Sequence, residues 1–204
     1  QKYLDLKLKT AGKHYVKNAT ALLTLTVALN LSSSKAISAL SKWTPSAGRG
    51  QVSEIKFKKD NCRITIHLLD ESYNANPGSM RSALETLACI FTNKNKNYAD
   101  SKRIAVLGDM LELGPSEVIE HINISKFVKL SQIDKISCVG LRMRRLYEVL
   151  PSSKQGFWTE TAEEMQHLLV NKFKNGDIVM IKGSFSMRMN TIVSELKRLN
   201  NLEF

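Results

Sequence analysis

The chain has 204 residues, of which 43% are hydrophobic and 24% charged, a composition typical of a globular protein with a packed core. Its formal net charge of +11 favours anionic partners such as nucleotides, phosphorylated substrates or nucleic acid. The sequence contains no zinc-finger spacing and no RNP-like motif, and only 7% of its residues are aromatic, which argues against nucleic-acid binding.

Cysteine usage and the N-terminal segment favour a cytoplasmic protein. Cys62, Cys89 and Cys138 are odd in number and widely spaced, so neither a disulfide framework nor a zinc site is expected. The first residues lack the order of a secretory signal, and the apolar run at residues 19–31 is too short to span a bilayer. The chain begins at Gln1 rather than at a methionine, which is expected of a fragment of a longer protein and equally of a processed chain.

Residues 1–47 differ from the rest of the chain in their pattern of predicted secondary structure. A short alternating run predicts a strand containing Tyr3, Leu6 and Leu8. The segment that follows from residue 17 is apolar on every side, which is typical of a buried helix, and a second helix is predicted at residues 35–42. The sequence WTPSAGRG then predicts a linker. One strand and two short helices bury little apolar surface. We therefore expect this part to belong to a domain whose bulk lies elsewhere.

Residues 48–204 alternate regularly between strands and helices. The strands are predicted at residues 51–58, 62–69, 103–107, 135–139, 156–159 and 177–181. The helices are predicted at residues 77–92, after Pro115, and at 143–150, 162–173 and 189–199. The first of these helices carries one apolar stripe from Met80 to Phe91, and the fourth begins with a capping box of Thr161 and Glu164.

This alternation predicts an α/β fold: a Rossmann-like, doubly wound and mostly parallel sheet. Apolar strands that are buried on both faces are typical of parallel sheets covered by helices on either side. In such sheets ligands bind outside the carboxyl ends of the strands. The candidate ligand-binding segments are therefore residues 70–77, 108–114, 140–144, 159 and 182–188.

The segment DESYNANPGSM, residues 70–80, is the most informative of these. Asp70, Glu71 and Asn74 offer carboxylates and an amide that suit ribose hydroxyls or a substrate carboxylate. Pro77 suits the first position of a helix and Asn76 its N-cap, so the same residues are also explained by a well-capped helix with Asx turns. From the residues alone, both interpretations stay open.

Other catalytic signatures are absent from the sequence. No GxGxxG follows a predicted strand, and no GxxxxGK[ST] occurs, so neither a dinucleotide fingerprint nor a phosphate-binding loop is present. The four histidines have no helical metal-binding spacing, and there is no nucleophile elbow. His67 and His167, within a predicted strand and helix, are expected to be structural.

Several motifs in order resemble the Mur ligases, the ATP-dependent amide ligases of peptidoglycan precursor synthesis. They are LLDESYNANPGSMRSAL, RIAVLGDMLELG and VMIKGS, preceded by GKHYVKNATALLTLTVALNL and PSAGRGQ. The resemblance covers nearly the whole chain. It implies that residues 1–47 are the end of a central ATP-binding domain, and that residues 48–204 are the Rossmann-like C-terminal domain.

The resemblance also implies a reaction and its partners. It is strongest to the branch that adds D-alanyl-D-alanine to UDP-N-acetylmuramoyl-tripeptide in the bacterial cytoplasm. In that reaction ATP, with Mg²⁺, phosphorylates the peptide carboxylate, and the dipeptide amine attacks the acyl phosphate. The phosphate-binding loop and magnesium ligands of the family precede this stretch, so we expect no metal ligands here and no ligase activity from the chain alone. We also expect a monomer.

Residue roles follow from the same resemblance. Nucleotide contacts are assigned to Asn18 at the adenine, Arg49 near the phosphates, Glu71 near the ribose, and Asp70 and Tyr73 beside it. Contacts to the peptide or dipeptide substrate are assigned to Asn74, Asn76, Lys182 and Ser184. Lys182 would supply a positive charge for the dipeptide carboxylate.

Three positions depart from the family pattern. Tyr15 stands where the family has the first asparagine of HNxxN, and Gly50 stands where the junction often has leucine. Glu71 stands where many members have aspartate, which keeps the charge on a longer side chain. The alternatives to a ligase fragment are a non-catalytic Rossmann-like binding module, another Mur ligase family member, and a basic nucleic-acid-binding protein.

Overall fold

The computed structural model describes residues 5–10, 12–59, 61–90, 100–128 and 132–200. The helices are α1 (Lys13–Ala28), α2 (Ser33–Lys42), α3 (Pro77–Cys89), α4 (Glu117–Val128), α5 (Leu141–Val149), α6 (Ala162–Leu169) and α7 (Asn190–Asn200). The strands are β1 (Gln51–Lys59), β2 (Cys62–Glu71), β3 (Arg103–Gly108), β4 (Lys135–Val139), β5 (Gln155–Thr159) and β6 (Ile178–Lys182).

The strands form one six-stranded sheet in the order β1-β2-β6-β3-β4-β5. β1 and β2 pair antiparallel as a hairpin, and every other neighbouring pair is parallel. The last strand in sequence, β6, lies between β2 and β3 in the sheet. The carboxyl ends of β2, β6 and β3 therefore meet side by side at one edge of the sheet.

Helices cover both faces of this sheet, and each face has its own hydrophobic core. Successive strand residues point to opposite faces, so Leu107 packs with α3, α4 and α5 while Val106 packs with α6 and α7. The predicted Rossmann-like, mostly parallel α/β fold is confirmed.

The N-terminal region departs from the sequence prediction. Residues 5–10 contain no strand, and Tyr3 lies outside the described residues. The first helix begins at Lys13 rather than near residue 17, and only Ala19 and Thr26 are buried along it. The prediction of a buried helix is therefore wrong for this structure: Leu22, Leu25 and Val27 are exposed, because α2 and α3 cover only one side of α1.

The boundaries of the other elements differ by a few residues. β2 continues to Glu71, so Asp70 and Glu71 are strand residues rather than loop residues. α3 ends at Cys89, and Phe91, predicted to belong to its stripe, lies outside the described residues. α6 ends at Leu169 in a short 3₁₀ turn, and its capping box of Thr161 and Glu164 is confirmed. Among the helices described, none is both long enough and apolar enough to cross a membrane.

Candidate functional site

The centre of the site is a buried ion pair at the carboxyl ends of two neighbouring strands. Glu71 on β2 and Lys182 on β6 are register partners across the parallel ladder. The Lys182 Nζ lies 3.5 Å from the Glu71 Oε2 and donates to the Asn74 carbonyl at 3.0 Å. An ammonium group has three N–H donors, so one remains for a ligand.

Burial dominates the electrostatics of this pair. Lys182 is 2% exposed and Glu71 8% exposed. Loss of hydration raises the pKa of Glu71, and the attraction of Lys182 only partly offsets this. Loss of hydration likewise lowers the pKa of Lys182, against the attraction of Glu71. The two charges are thus weakly solvated, and a ligand carboxylate or hydroxyl would meet a strong local field.

The loop after β2 carries polar groups from the pair to the start of α3. Asn76 is the N-cap of α3: its side-chain oxygen accepts from the Ser79 N–H at 2.8 Å, and Pro77 is the first helical residue, as predicted. The Asn74 side-chain oxygen accepts from the Ala75 N–H at 2.9 Å. Asn74, Asn76 and Tyr73 are exposed, which leaves part of each side chain available to a ligand.

The linker and the first turn of α1 close the other side of the site. Gly48 is held on β2, because its N–H donates to the Asp70 carboxylate at 3.2 Å and its carbonyl accepts from the Tyr73 N–H at 3.0 Å. The Arg49 guanidinium lies over the Tyr73 ring, 3.9 Å from its centroid. Tyr15 packs 5.5 Å from Trp43, and its hydroxyl donates to the Arg49 carbonyl.

Together these elements enclose a cavity of about 370 Å³, within the usual range for small-molecule sites. Seven of the nine residues assigned from the sequence line this cavity: Asn18, Arg49, Glu71, Tyr73, Asn74, Asn76 and Lys182. Its other lining residues include His14, Tyr15, Trp43, Ser46 and Ser79.

The remaining two assigned residues, Asp70 and Ser184, do not line this cavity. Asp70 faces the other side of the sheet, where its carboxylate accepts from the Ser72 hydroxyl at 2.6 Å and lies 3.7 Å from the Lys197 ammonium. Ser184 is buried between loops: its hydroxyl accepts from the Leu111 N–H at 2.8 Å and lies 3.4 Å from the Ala75 carbonyl. In this structure both side chains hold neighbouring backbone in place.

A buried histidine binds the backbone of the GDMLELG segment at the end of β3. The His121 Nε2 accepts from the Met110 N–H at 2.9 Å, and its Nδ1 contacts the Glu117 carbonyl at 2.6 Å. Together with Ser184, this histidine fixes the segment against the loop after β6. The spacing of the histidines does not single out His121, because both of its partners are backbone groups, one four residues away and the other eleven.

Comparison with known proteins assigns this chain to a family. The family described as "Mur ligase, glutamate ligase domain" matches residues 58–185, which is more than half of the chain. The chain belongs to the Mur ligase family.

Two curated relatives of this Mur ligase chain carry the same name. It is 29% identical over 200 residues to the UDP-N-acetylmuramoyl-tripeptide–D-alanyl-D-alanine ligase of Haemophilus influenzae, covering 95% of this chain and 39% of that protein. It is 30% identical over 198 residues to the Escherichia coli ligase of the same name, again covering 95% and 39%. The Mur ligase chain thus spans about two fifths of the length of the curated relatives it matches.

Solved structures show the same fold. MurF from Acinetobacter baumannii superimposes with a TM-score of 0.74 at 27% identity, over 95% of this chain and 39% of that one. The MurF ligase from Thermotoga maritima, solved in complex with ADP, superimposes with a TM-score of 0.72 at 20% identity, over 95% and 40%.

Three aromatic rings give the cavity a chemistry that suits a flat ligand. Aromatic rings from Tyr15, Trp43 and Tyr73 line it, and stacking on such rings suits a purine base. The buried His14 Nδ1 has no hydrogen-bond partner among the described residues. Within the described ranges, no three acidic, histidine or cysteine side chains come close enough to share a metal ion.

Trp43 and His14 line this Mur ligase cavity but are not predicted from the sequence as site residues. The pattern around Trp43 predicts only a linker, and the histidine spacing predicts no metal site. The available signal was a tryptophan in a stretch rich in glycine and proline, since an aromatic residue in a linker needs a surface to pack against.

Proposed function

We propose that this chain is the C-terminal part of an ATP-dependent ligase that joins D-alanyl-D-alanine to UDP-N-acetylmuramoyl-tripeptide in the bacterial cytoplasm. The observation that carries the proposal is the match, along 95% of the chain, to ligases of that name. The cavity supports it, because it gathers polar and aromatic residues from the helical segment, the linker and two strand ends.

In this proposal the chain contains two unequal parts. Residues 1–47 are the end of the central ATP-binding domain, and residues 48–204 are the C-terminal domain. The share of 39% that the chain covers in its relatives supports this division, as does the exposed apolar side of α1. The three fifths that the chain does not span would then supply the phosphate-binding loop and the magnesium ligands.

The nucleotide would bind between α1 and the linker. Asn18 would face the base, and Arg49 is suited to the phosphates because a guanidinium is permanently charged and matches phosphate geometry. Glu71 would accept hydrogen bonds from the ribose, and Tyr73 would hold Arg49 through the cation–π contact. Asp70 would act indirectly, through the Gly48 N–H that it binds.

The dipeptide would bind on the strand-end side of the cavity. Lys182 would use its remaining N–H donor for the dipeptide carboxylate, and the Asn74 and Asn76 amides would bind its backbone groups. Ser184 would act by holding Ala75 and Leu111 in place rather than by touching the substrate. Catalysis would come mainly from positioning the reactants and from stabilising the charge that develops on the acyl phosphate.

A phosphate-release assay on the complete ligase tests the proposal. We expect phosphate release that requires ATP, Mg²⁺, UDP-N-acetylmuramoyl-tripeptide and D-alanyl-D-alanine together, with one amide bond formed per phosphate. The matched control replaces D-alanyl-D-alanine by L-alanyl-L-alanine. Release that is independent of the dipeptide, or equal with both dipeptides, would contradict the proposal.

A second test uses the 204-residue chain alone. Since the sequence has no phosphate-binding loop, we expect calorimetry with ATP and Mg²⁺ to show at most weak binding and no ligase turnover. Micromolar affinity would show that these residues form the nucleotide site without the rest of the ligase.

A further inference from the structure

Two of the residues that depart from the family pattern are in direct contact. Tyr15 lies on the first turn of α1 and Gly50 immediately before β1, 35 positions apart in the sequence. A Cβ atom at Gly50 would lie 2.6 Å from the Tyr15 hydroxyl and 3.1 Å from the Glu71 Oε1. The phenol therefore occupies the space that a side chain at position 50 would need.

The same phenol controls the backbone at this point. The peptide group between Arg49 and Gly50 is held on both sides: its carbonyl accepts from the Tyr15 hydroxyl, and its N–H donates to the Asp70 carbonyl at 2.8 Å. The orientation of this peptide sets φ at Gly50, which is +87°, a value that glycine adopts readily and other residues rarely do. The hydroxyl and the glycine thus belong to one backbone conformation.

We propose that Tyr15 and Gly50 act as one unit that positions Arg49 and Glu71 for the nucleotide. Tyr15 is a positioning residue in this unit: it ties α1 to the linker segment 48–50, which in turn is bound to β2 and the loop after it. Its nucleotide role rests on the proposed function, whereas its coupling to Gly50 is a property of the chain alone.

The phenol stays a hydrogen-bond donor at neutral pH. Burial raises the pKa of Tyr15 to about 12, the nearby Glu71 carboxylate adds to this, and Arg49 opposes it. Protonated Tyr15 can hold the Arg49 carbonyl, and an asparagine amide, being shorter, could not occupy the same volume beside Gly50.

A double-mutant cycle on the 204-residue chain tests the coupling. We expect Gly50→Ala to lower the folding equilibrium constant, measured by denaturant unfolding, about tenfold more in the wild type than in a Tyr15→Phe background. In that background the peptide keeps only its bond to Asp70, and the hydroxyl no longer occupies the space beside Gly50. The control is Tyr147→Phe, which removes a comparable hydroxyl bond to the Gly156 carbonyl, 3.2 Å long, far from Gly50. Effects of Gly50→Ala that are equal in all three backgrounds would overturn the proposal.

A second measurement serves if Gly50→Ala does not fold. Hydrogen exchange of the Gly50 amide should be about tenfold faster in Tyr15→Phe than in the wild type, because the peptide is then held on one side only. The Tyr147→Phe variant should leave this rate unchanged. An unchanged rate in Tyr15→Phe would overturn the proposal.

Kinetics of the complete ligase test the nucleotide role. We expect Tyr15→Phe to raise the KM for ATP about tenfold and to leave the KM for D-alanyl-D-alanine unchanged, since Arg49 and Glu71 serve the nucleotide. Tyr147→Phe should change neither value. Equal increases in both KM values would overturn the positioning role. A wild type without ligase activity would remove the proposed function, and with it the nucleotide role, while the measured coupling between Tyr15 and Gly50 would stand.

Discussion

Asp70 and Glu71 are neighbours in sequence, yet the fold gives them different environments. Because both belong to β2, their side chains point to opposite faces of the sheet. Glu71 reaches Lys182 and the cavity, while Asp70 reaches Lys197 and the backbone of Ser72. One acidic residue is thus available to a ligand and the other is engaged in holding the linker.

The raised pKa of Glu71 makes its charge costly for folding. The unfolded chain releases this proton near the ordinary pKa of 4.5, and the folded protein at a higher pH. As pH rises through that interval, the wild type therefore loses stability. We expect the stability of Glu71→Gln relative to the wild type to increase as pH rises from about 4 to 7, in denaturant unfolding followed across pH.

Glu54 provides the matched control for this effect. It is exposed on the neighbouring strand, and its hydrogen bond and ion pair with Lys56 lower its pKa. Its carboxylate therefore contributes stability above pH 4.5, so Glu54→Gln should change stability in the opposite direction with pH. The same sign for both variants would contradict the burial argument. In the complete ligase, Glu71→Gln should also weaken ATP use.

Lys182 is the residue expected to separate dipeptide use from ATP use. Removing a hydrogen bond to a charged group costs about 1.5–3 kcal/mol. Lys182→Ala should therefore raise the KM for D-alanyl-D-alanine about 10- to 100-fold, and the KM for ATP much less. Arg49→Ala should show the reverse pattern in steady-state assays with each substrate varied. Equal losses for both substrates in Lys182→Ala would reject its dipeptide role.

At the scale of whole elements, the helix N-termini are anchored in two different ways. α3 and α6 carry their own capping boxes, from Asn76 and from Thr161. α5 begins after Gly140, which has no side chain to cap it. Asp109 from the end of β3 instead accepts from the Arg142 and Met143 N–H groups, at 3.2 and 2.7 Å. A local cap is visible in sequence, whereas a cap from another strand requires the fold.

The cap of α3 is expected to be structural and functional at once. Asn76→Ala removes the acceptor for the Ser79 N–H and should destabilise the chain by about 1 kcal/mol. Asn76→Asp keeps that acceptor and should retain stability in thermal unfolding, while it loses the amide donor that we assign to the substrate. If Asn76→Asp also keeps full dipeptide affinity in the complete ligase, the substrate role of Asn76 is wrong.

At the scale of the whole molecule, the described part of the chain leaves an apolar side of α1 exposed. Leu22, Leu25 and Val27 on α1, with Leu29 and Leu31 after it, are each between 46% and 61% exposed. Apolar residues grouped in this way are typical of a surface that meets another protein surface. We propose that the rest of the ligase covers this side of α1.

A matched pair of leucine substitutions tests this. In the chain alone, Leu25→Ala should change the free energy of unfolding by less than about 0.5 kcal/mol, because Leu25 is 58% exposed. Leu84→Ala on α3, where the side chain is fully buried, should cost about 3 kcal/mol. In the complete ligase, by contrast, we expect Leu25→Ala to lower the thermal unfolding temperature. No change there would mean that this side of α1 stays uncovered.

The sequence by itself determined the fold class, most element positions and the strand-end loops that carry the site. Those properties depend on local periodicity, turn residues and short motifs, which a single chain displays directly. Seven of the nine assigned residues line the cavity. Five of them lie at or after the ends of β2 and β6, because parallel strands that end at one edge bring their following loops together, whereas Asn18 and Arg49 come from α1 and the linker.

Only the tertiary structure decided which of those side chains face the cavity and what surrounds them. It placed Ser184 between loops, turned Asp70 away from Glu71, left α1 exposed, and brought Tyr15 against Gly50. Each of these outcomes depends on strand direction, on register or on contact between distant segments. Such contacts form only when the sheet is assembled, and no local pattern in the sequence records them.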